Sequence, residues 1–259
     1  MTDIQSTAVL EILRSVSQRY RDTARAHIAS EKTNDGYTTD LDLWIDKHLA
    51  VELKNILDID YISEESIEEV TSANASEEDF WLVDPLDGTM NAIIGFPYFS
   101  TSISLVSNNR IQYAFVVNLP NGDIYHAKRG NGLMKNGAPV HRATRTNKTI
   151  FSTGFAHDRR LHERQLDTMS TLLRYVDDFR RLASPCLDLC LVAEGILSGC
   201  AEYLKSWDLA AGTLFLDEVG VPHNHSGLFY LPSLRDQFEF VAADRSLMPL
   251  ILEALDSQQ

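Results

Sequence analysis

The residues best suited to chemistry in this chain are carboxylates standing at the ends of short apolar runs. Phe80-Trp81-Leu82-Val83 leads directly into Asp84-Pro85-Leu86-Asp87-Gly88-Thr89-Met90-Asn91. Two carboxylates three residues apart on a tight turn can face one point, with the Leu86 carbonyl oxygen between them. Hard oxygen donors of this kind suit Mg²⁺ or Mn²⁺ rather than zinc. Taken alone, the segment reads equally well as a plain strand end, because Asp-Pro and Asp-Gly are ordinary turn dipeptides. Tyr61-Ile62 is a second short run and leads into Glu64-Glu65. Four glutamates lie between Ser63 and Glu69, so by itself this stretch favours a solvated acidic face. The third segment is Trp207-Asp208-Leu209-Ala210-Ala211-Gly212. Asp208 stands where a helix N-cap belongs, and capping alone accounts for it. The small residues behind it would let the helix start press against the Asp84 turn.

The elements that must position these groups follow from periodicity. Ile4, Ala8, Ile12, Val16, Tyr20 and Ala24 recur every four residues and predict a long amphipathic first helix. Residues 31–39 are polar, contain Gly36 and read as a loop, and a second helix is predicted over 42–57. Strands are predicted at 61–62, 80–83, 101–106, 111–119 and 123–127, with Asn108-Asn109 and Pro120-Asn121-Gly122 as turns. This half reads as an antiparallel sheet with helices. Beyond about residue 145 the rhythm becomes alternating: strands at 150–153, 179–182 and 200–204, and helices at 161–173, at 184–197 and from Trp207 onward. The division is an α+β lobe over 1–145, with most of the candidate ligands, and an α/β lobe over 146–259 carrying the Trp-Asp motif.

Composition narrows the function. With 23 Lys and Arg against 37 Asp and Glu, the formal charge is −14, which disfavours nucleic-acid or anionic-membrane partners. If the substrate is a phosphate ester, bound divalent metal is the natural source of positive charge. No stretch approaches the roughly 18 to 20 apolar residues of a membrane span, and the N-terminus lacks signal-peptide features, so a cytoplasmic location is expected. Cys186, Cys190 and Cys200 have no metal-site spacing and are expected to be buried reduced thiols. The GxxxxGK[ST], GxSxG and HExxH patterns are absent. His48, His126 and His162 read as surface or packing residues. Arg180-Arg181 reads as structural, and Lys205 equally as a site residue or a solvated lysine.

Together the three acidic segments resemble the inositol monophosphatase family, the lithium-sensitive phosphatase group that includes fructose-1,6-bisphosphatase. Its pattern is Glu-Glu, then Asp-Pro-Ile/Leu-Asp-Gly-Thr-x-Asn, then Trp-Asp-x-Ala-Ala-Gly. The likeness continues through 91–105 and 180–195, and Thr39 and Asp42 match an upstream Thr-x-x-Asp, so it covers roughly residues 30 to 215. The resemblance implies a layered αβαβα sandwich with a metal cage between the lobes. It implies that Glu64, Asp84 and the Leu86 carbonyl hold one ion, and that Asp84, Asp87 and Asp208 hold a second. A third, weaker ion would sit near Glu64 and Asp42. Two or three Mg²⁺, or Mn²⁺, are thus expected. Thr89 and Asp42 would orient the attacking water with Glu64 beside them, and Asp87, Gly88, Thr89, Ser184 and Asp208 would border the substrate. The implied function is hydrolysis of a small phosphate monoester, an inositol or sugar phosphate, by metal-activated water in a homodimer.

Three departures bear on specificity. Ser63 replaces the usual Gly before Glu-Glu, and Ala183-Ser184-Pro185-Cys186 replaces Gly-Ser/Thr-Ala-Ala. Residues 199–206 are shorter than in inositol-selective members, so Glu202 cannot be aligned without a gap to the glutamate that contacts inositol there. Fructose-1,6-bisphosphatase and 3′(2′),5′-bisphosphate nucleotidase activities are the alternatives within the enzyme class. Some relatives bind transcription partners, so a non-catalytic regulatory protein is the alternative outside it, opposed by the completeness of the carboxylate set.

Overall fold

The computed structural model describes residues 1–23, 30–33, 36–66, 79–142, 147–156, 158–230 and 233–256. Helix α1 (Asp3–Thr23) forms as expected but buries Val9, Leu13 and Val16: of the stripe expected from the four-residue period only Val16 is buried and Ile4 is exposed, because the helix turns the neighbouring positions to the core, and Ala24 lies outside the described residues. Strands β1 (Ser30–Thr33) and β2 (Gly36–Thr39) then form an antiparallel ribbon with Ser30 opposite Thr39. This corrects the loop expected at 31–39. The ribbon is held by backbone pairing, so the sequence carries no apolar alternation to reveal it. Helix α2 (Asp40–Ile56) follows, with Ile45, Leu49 and Leu53 buried.

Seven strands form the larger sheet in sequence order: β3 (Asp60–Ser63), β4 (Asp79–Asp87), β5 (Ser100–Ser107), β6 (Arg110–Asn118), β7 (Ile124–Lys128), β8 (Leu133–Lys135) and β9 (Ala138–Pro139). Asn108 and Asn109 both take positive φ (51° and 59°) in the two-residue β5–β6 hairpin, matching the sheet's right-handed twist. The sheet was expected to be antiparallel, but β3 and β4 are parallel, with Ser63 beside Val83. That pairing brings the C-terminal ends of both strands, and hence Glu64 and Asp84, to the same edge. Short helix α3 (Thr89–Ile94) leaves the end of β4.

The smaller sheet contains β10 (Ile150–Ser152), β11 (Asp178–Arg180), β12 (Gly199–Leu204) and β13 (Phe238–Ala243) in the order β11-β10-β12-β13. The first three are mutually parallel and β13 is antiparallel to β12. Helices α4 (His162–Leu172), α5 (Pro185–Glu194), α6 (Ser206–Val219) and α7 (Met248–Asp256) complete the chain. The expected boundary near residue 145 lies outside the described residues.

Strand alternation sorts the side chains into layers. Trp81, Val83, Ile103 and Phe115 pack against α1 and α2, whereas Phe80, Leu82, Val106 and Val116 face the apolar helices α5 and α6. On their other side, α5 and α6 meet Cys200, Leu204 and Phe240 of the smaller sheet. The outer face of that sheet buries Phe151 and Val241 with Leu172 of α4 and Met248 and Ile251 of α7. The result is the expected five-layer αβαβα sandwich. Gly212 lets α6 approach α5, because a Cβ there would overlap the Leu189 side chain. Among the described residues, no helix is long and apolar enough to cross a membrane.

Candidate metal centre

The parallel ends of β3 and β4 supply the first groups. Glu64 donates its backbone N–H to Val83 O at 3.1 Å, extending the ladder by one residue, and the residue as a whole is half-buried. Asp84 and Asp87 are buried on β4, where the register against β5 shifts between Asp84–Ser102 and Asp87–Ser100. That irregularity lets two residues three apart turn toward one place. Asp84 Oδ1 is buried without a hydrogen-bond partner. Asp87 Oδ2 instead accepts three hydrogen bonds, from Ser184 Oγ at 2.5 Å, Cys186 N at 2.9 Å and Ser100 Oγ at 3.1 Å.

The Thr89 hydroxyl reaches both Leu86 O at 2.9 Å and Asp42 Oδ1 at 3.1 Å, bringing the Thr89–Asp42 pair together as expected. Asp42 is the third residue of α2 in a capping box with Thr39: its own N–H donates to Thr39 Oγ1 at 3.2 Å, and Thr39 N donates to Asp42 Oδ2 at 2.9 Å. The Leu86 carbonyl retains a second lone pair beyond the one that Thr89 uses. Asp208 corrects the sequence reading, being the third residue of α6 rather than its N-cap. The cap is Lys205, whose N–H donates to Asp208 Oδ2 at 2.9 Å. Ser184, expected to border the substrate, is fully buried and gives its hydroxyl to Asp87.

Electrostatics bind these groups into one cluster. Burial, then the Asp208 carboxylate, pushes Glu64 up to about 8 against the opposing charge of Lys205. Burial, then Asp208, lifts Asp87 to about 7 even with its three donors. Asp84 is held well above the usual carboxylate range by burial and then by Glu64, Asp87 and Asp208. Burial raises Asp42 as well, outweighing the Thr39 and Thr89 hydrogen bonds. Glu65 rises to about 7 through burial and then Asp42 and Asp46. Without added positive charge the site favours protons near neutrality.

Among the described residues, the tightest group of possible ligands is Asp84, Asp87 and Cys186, whose ligand atoms lie within 4.8 Å of one another. Glu64 and Asp208 stand outside that group and join it through their charges. Cys186 is a free buried thiol, as expected of all three cysteines. Its Sγ donates to Asp208 O at 3.3 Å, and burial pushes the thiol far above its usual range, so it acts as a neutral donor. The remaining donors are carboxylate and carbonyl oxygens, which fit a hard divalent cation, and the unpartnered Asp84 Oδ1 supplies a vacant lone pair.

Sequence reasoning missed Ser100 and the Cys186 N–H as supports of Asp87. A signal for Ser100 was available: Ser100, Thr101, Ser102 and Ser104 are buried polar residues in a strand whose other buried members are apolar. Glu202, left unaligned in the sequence, lies against Gly154 on β12; burial, then Asp188, Asp208 and Asp87, raises it, with Arg181 opposing. Arg180 pairs with Asp178, while the Arg181 guanidinium lies 5.7 Å from the Phe155 ring centre. Lys205 Nζ lies 4.9 Å from the Trp207 ring centre. His48 stacks on Trp44, His126 on Phe115, and His162 packs against Phe155.

The chain and its fold have relatives among known proteins. The family model described as the inositol monophosphatase family matches residues 1–259. The Nus factor SuhB of Xylella fastidiosa is 33% identical over 195 residues, covering 73% of this chain and 69% of that protein. The crystal structure of the extragenic suppressor protein SuhB from Bartonella henselae superposes with a TM-score of 0.82 at 24% identity, covering 96% of this chain and 97% of that one. An IMPase/NADP phosphatase solved with Mg²⁺ and phosphate gives a TM-score of 0.79 at 18% identity, covering 96% and 94%.

Proposed function

The chain belongs to the inositol monophosphatase family, and we propose that it hydrolyses a small phosphate monoester, foremost an inositol or sugar phosphate, at the carboxylate cluster with Mg²⁺ as cofactor. The observation that carries this reading is Asp84: a buried carboxylate with an unpartnered oxygen, surrounded by carboxylates that raise one another. Glu64, Asp84, the Leu86 carbonyl, Asp87 and Asp208 would hold two ions, with a third weaker one near Glu64 and Asp42. Divalent ions bound there supply charge neutralisation for the phosphate dianion and a water of lowered pKa.

The chain's own residues do the rest. The Thr89 hydroxyl has Leu86 O and Asp42 Oδ1 both in reach, and with its one hydrogen turned to Asp42 a water held by the Thr89 oxygen can pass a proton along that hydrogen bond to the carboxylate. Gly88, Thr89, Asp87 and Asp208 border the phosphoryl position. The α5 start and Ser100 fix Asp87 from behind and exclude water there. Support for a phosphorylated substrate comes from the family match and from the relative solved with Mg²⁺ and phosphate. The reading extends to a homodimer, on family resemblance alone, and keeps fructose-1,6-bisphosphatase and 3′(2′),5′-bisphosphate nucleotidase activities as alternatives.

A second reading rests on the name Nus factor carried by the Xylella fastidiosa relative: a protein whose task is partner binding, with activity incidental. The complete carboxylate set favours catalysis, since a pure binding protein is free to lose it. A panel of phosphate esters assayed with Mg²⁺ decides between them. Metal-dependent phosphate release from an inositol, sugar or nucleotide phosphate is expected, and no release from any ester would overturn the enzyme reading.

A further inference from the structure

We propose that Asn91 is a positioning residue that clamps the turn at 182–184, so that Asp87 keeps one oxygen occupied and offers the other to the cation. This rests on reading the carboxylate cluster as a cation site.

Asn91 is buried on α3, and its side-chain amide donates to carbonyls from two distant parts of the chain. Nδ2 lies 2.7 Å from Tyr98 O, 2.7 Å from Leu182 O and 3.3 Å from Ala183 O. An amide has two N–H groups, so the two short bonds occupy both and the third is shared. Tyr98 runs into β5 of the larger sheet, whereas Leu182 and Ala183 follow β11 of the smaller one. One side chain therefore ties the two sheets together beside the cluster.

The tied turn is strained and directly supports a ligand. Ala183 takes φ 61°, a left-handed conformation that a Cβ disfavours. Its carbonyl packs on Gly88, where a Cβ would stand 3.0 Å from Ala183 O and 3.1 Å from Phe99 Cβ. Holding Ala183 in this conformation sends the chain into α5 with Ser184 Oγ and Cys186 N both on Asp87 Oδ2, at 2.5 and 2.9 Å. These two bonds and Ser100 Oγ load Oδ2 with three donors, leaving Oδ1 for a cation. A buried asparagine can serve stability alone by satisfying its donors anywhere in the fold. This one holds the segment that orients a cage carboxylate, and partners of a metal ligand commonly set metal affinity.

The test is direct Mn²⁺ binding to the full chain, with Mg²⁺-dependent thermal stabilisation as a second readout. Asn91→Ala should weaken Mn²⁺ binding about 10-fold or more, while KM at saturating Mg²⁺ changes little. Adding Ala183→Gly to that variant should recover most of the affinity, because glycine adopts the left-handed conformation without being held there. A merely structural asparagine would show no such rescue. Wild-type affinity in Asn91→Ala, or lost affinity that Ala183→Gly does not restore, overturns the proposal alone. Failure of the wild type itself to bind Mn²⁺ overturns the cation site beneath it. Should Asn91→Ala not fold, Asn91→Ser, which keeps one donor, takes its place with the same outcomes.

Discussion

Helices α5 and α6 each run from one acidic region to another, and the two regions handle their carboxylates in opposite ways. At the far ends, every carboxylate has a donor. Glu194 Oε1 accepts from Tyr125 Oη at 2.5 Å and Lys135 Nζ at 3.0 Å. Asp217 meets Arg129 at 3.2 Å and His223 at 3.1 Å, and Glu218 takes the backbone N–H groups of Gly130 and Gly132, each at 2.6 Å. Burial pushes Asp217 up, yet His223 and Arg129 outweigh it and its net position is below the ordinary carboxylate range. At the near ends, Asp87 and Asp208 face Asp84 and Glu64, and Glu64, Asp84 and Asp87 carry a clear upward shift. The same fold thus pairs its acids at the far ends, and at the near ends leaves mutually repelling carboxylates where the proposed cation would complete the site.

The comparison breaks most visibly if that outside charge is withheld. Chelation should abolish activity and Mg²⁺ should restore it; turnover in excess chelator would remove the metal from the argument. Asp84→Asn should cost about 10³-fold or more in kcat/KM, the scale of losing metal-assisted charge stabilisation. Without metal, this variant should be at least as stable as the wild type, because a repelling charge is gone. The wild type should gain stability progressively with Mg²⁺, as a native-state ligand requires, and Asp84→Asn should gain little. Parallel melting curves across the titration would place Asp84 among ordinary strand ends.

Thr89 sharpens the contrast within the near region, since its hydroxyl bridges Leu86 O and Asp42 rather than neutralising charge. Thr89→Ala should lower kcat by about 10²-fold with Mg²⁺ affinity little changed. A wild-type kcat would reduce Thr89 to the first residue of α3.

Much of this contrast was legible in the residues. Asp84-Pro85-Leu86-Asp87, Glu64 and Trp207-Asp208 pointed to the near region only jointly, through their resemblance to the family pattern, because each alone reads as well as a strand end, a solvated acidic face or a helix cap. The buried strands were equally legible, as Phe80 to Val83 illustrates, being continuous in apolar character. The β1–β2 ribbon was not, because polar strands pair through the backbone and leave no periodic trace. Asp208 was misplaced by three residues because a lysine at the cap position gives no side-chain signal. The supports of Asp87 were hidden for a different reason: Ser184 and the Cys186 N–H arrive from nearly a hundred residues away, and a backbone donor has no residue type. The pairing of the far region was hidden likewise, since Glu218 is satisfied by backbone N–H groups.

A pH titration tests the two regions with opposite signs. In the metal-free protein, Asp87 and Glu64 titrate at about 7 and about 8, against about 4 for unfolded carboxylates. Between these limits the native state binds more protons than the unfolded one, so their stabilisation is full at low pH and is lost as pH rises through 7 and 8. Asp217, lowered on folding, contributes stability that is present above the ordinary carboxylate pKa and lost in acid. Melting in chelator should therefore occur on the order of 5 °C lower at pH 8.5 than at pH 5.5. The formal charge of −14 pushes the same way, so the diagnostic part is what saturating Mg²⁺ removes. A pH difference identical with and without Mg²⁺ would assign it to general repulsion instead of the cage.

The smallest expected effect lies at the far end, and it shows whether the regions are independent. Glu218 accepts one backbone N–H on each carboxylate oxygen, charge-assisted bonds at the rim of the structure. Glu218→Gln keeps the shape and one acceptor but turns an amide nitrogen toward the other N–H, so one bond is lost and the other loses its charge. The cost should be about 1 kcal/mol, seen as a fall in melting temperature of about 3 °C in a chain of this size. Because Glu218 sits ten residues along α6 from Asp208, beyond the screening reach of an exposed charge at physiological salt, the Mg²⁺ concentration giving half-maximal stabilisation should stay at the wild-type value. A shift of that midpoint comparable to the Asp84→Asn effect would mean that α6 transmits charge or strain from end to end, and that pairing at one end and repulsion at the other are two parts of a single coupled network.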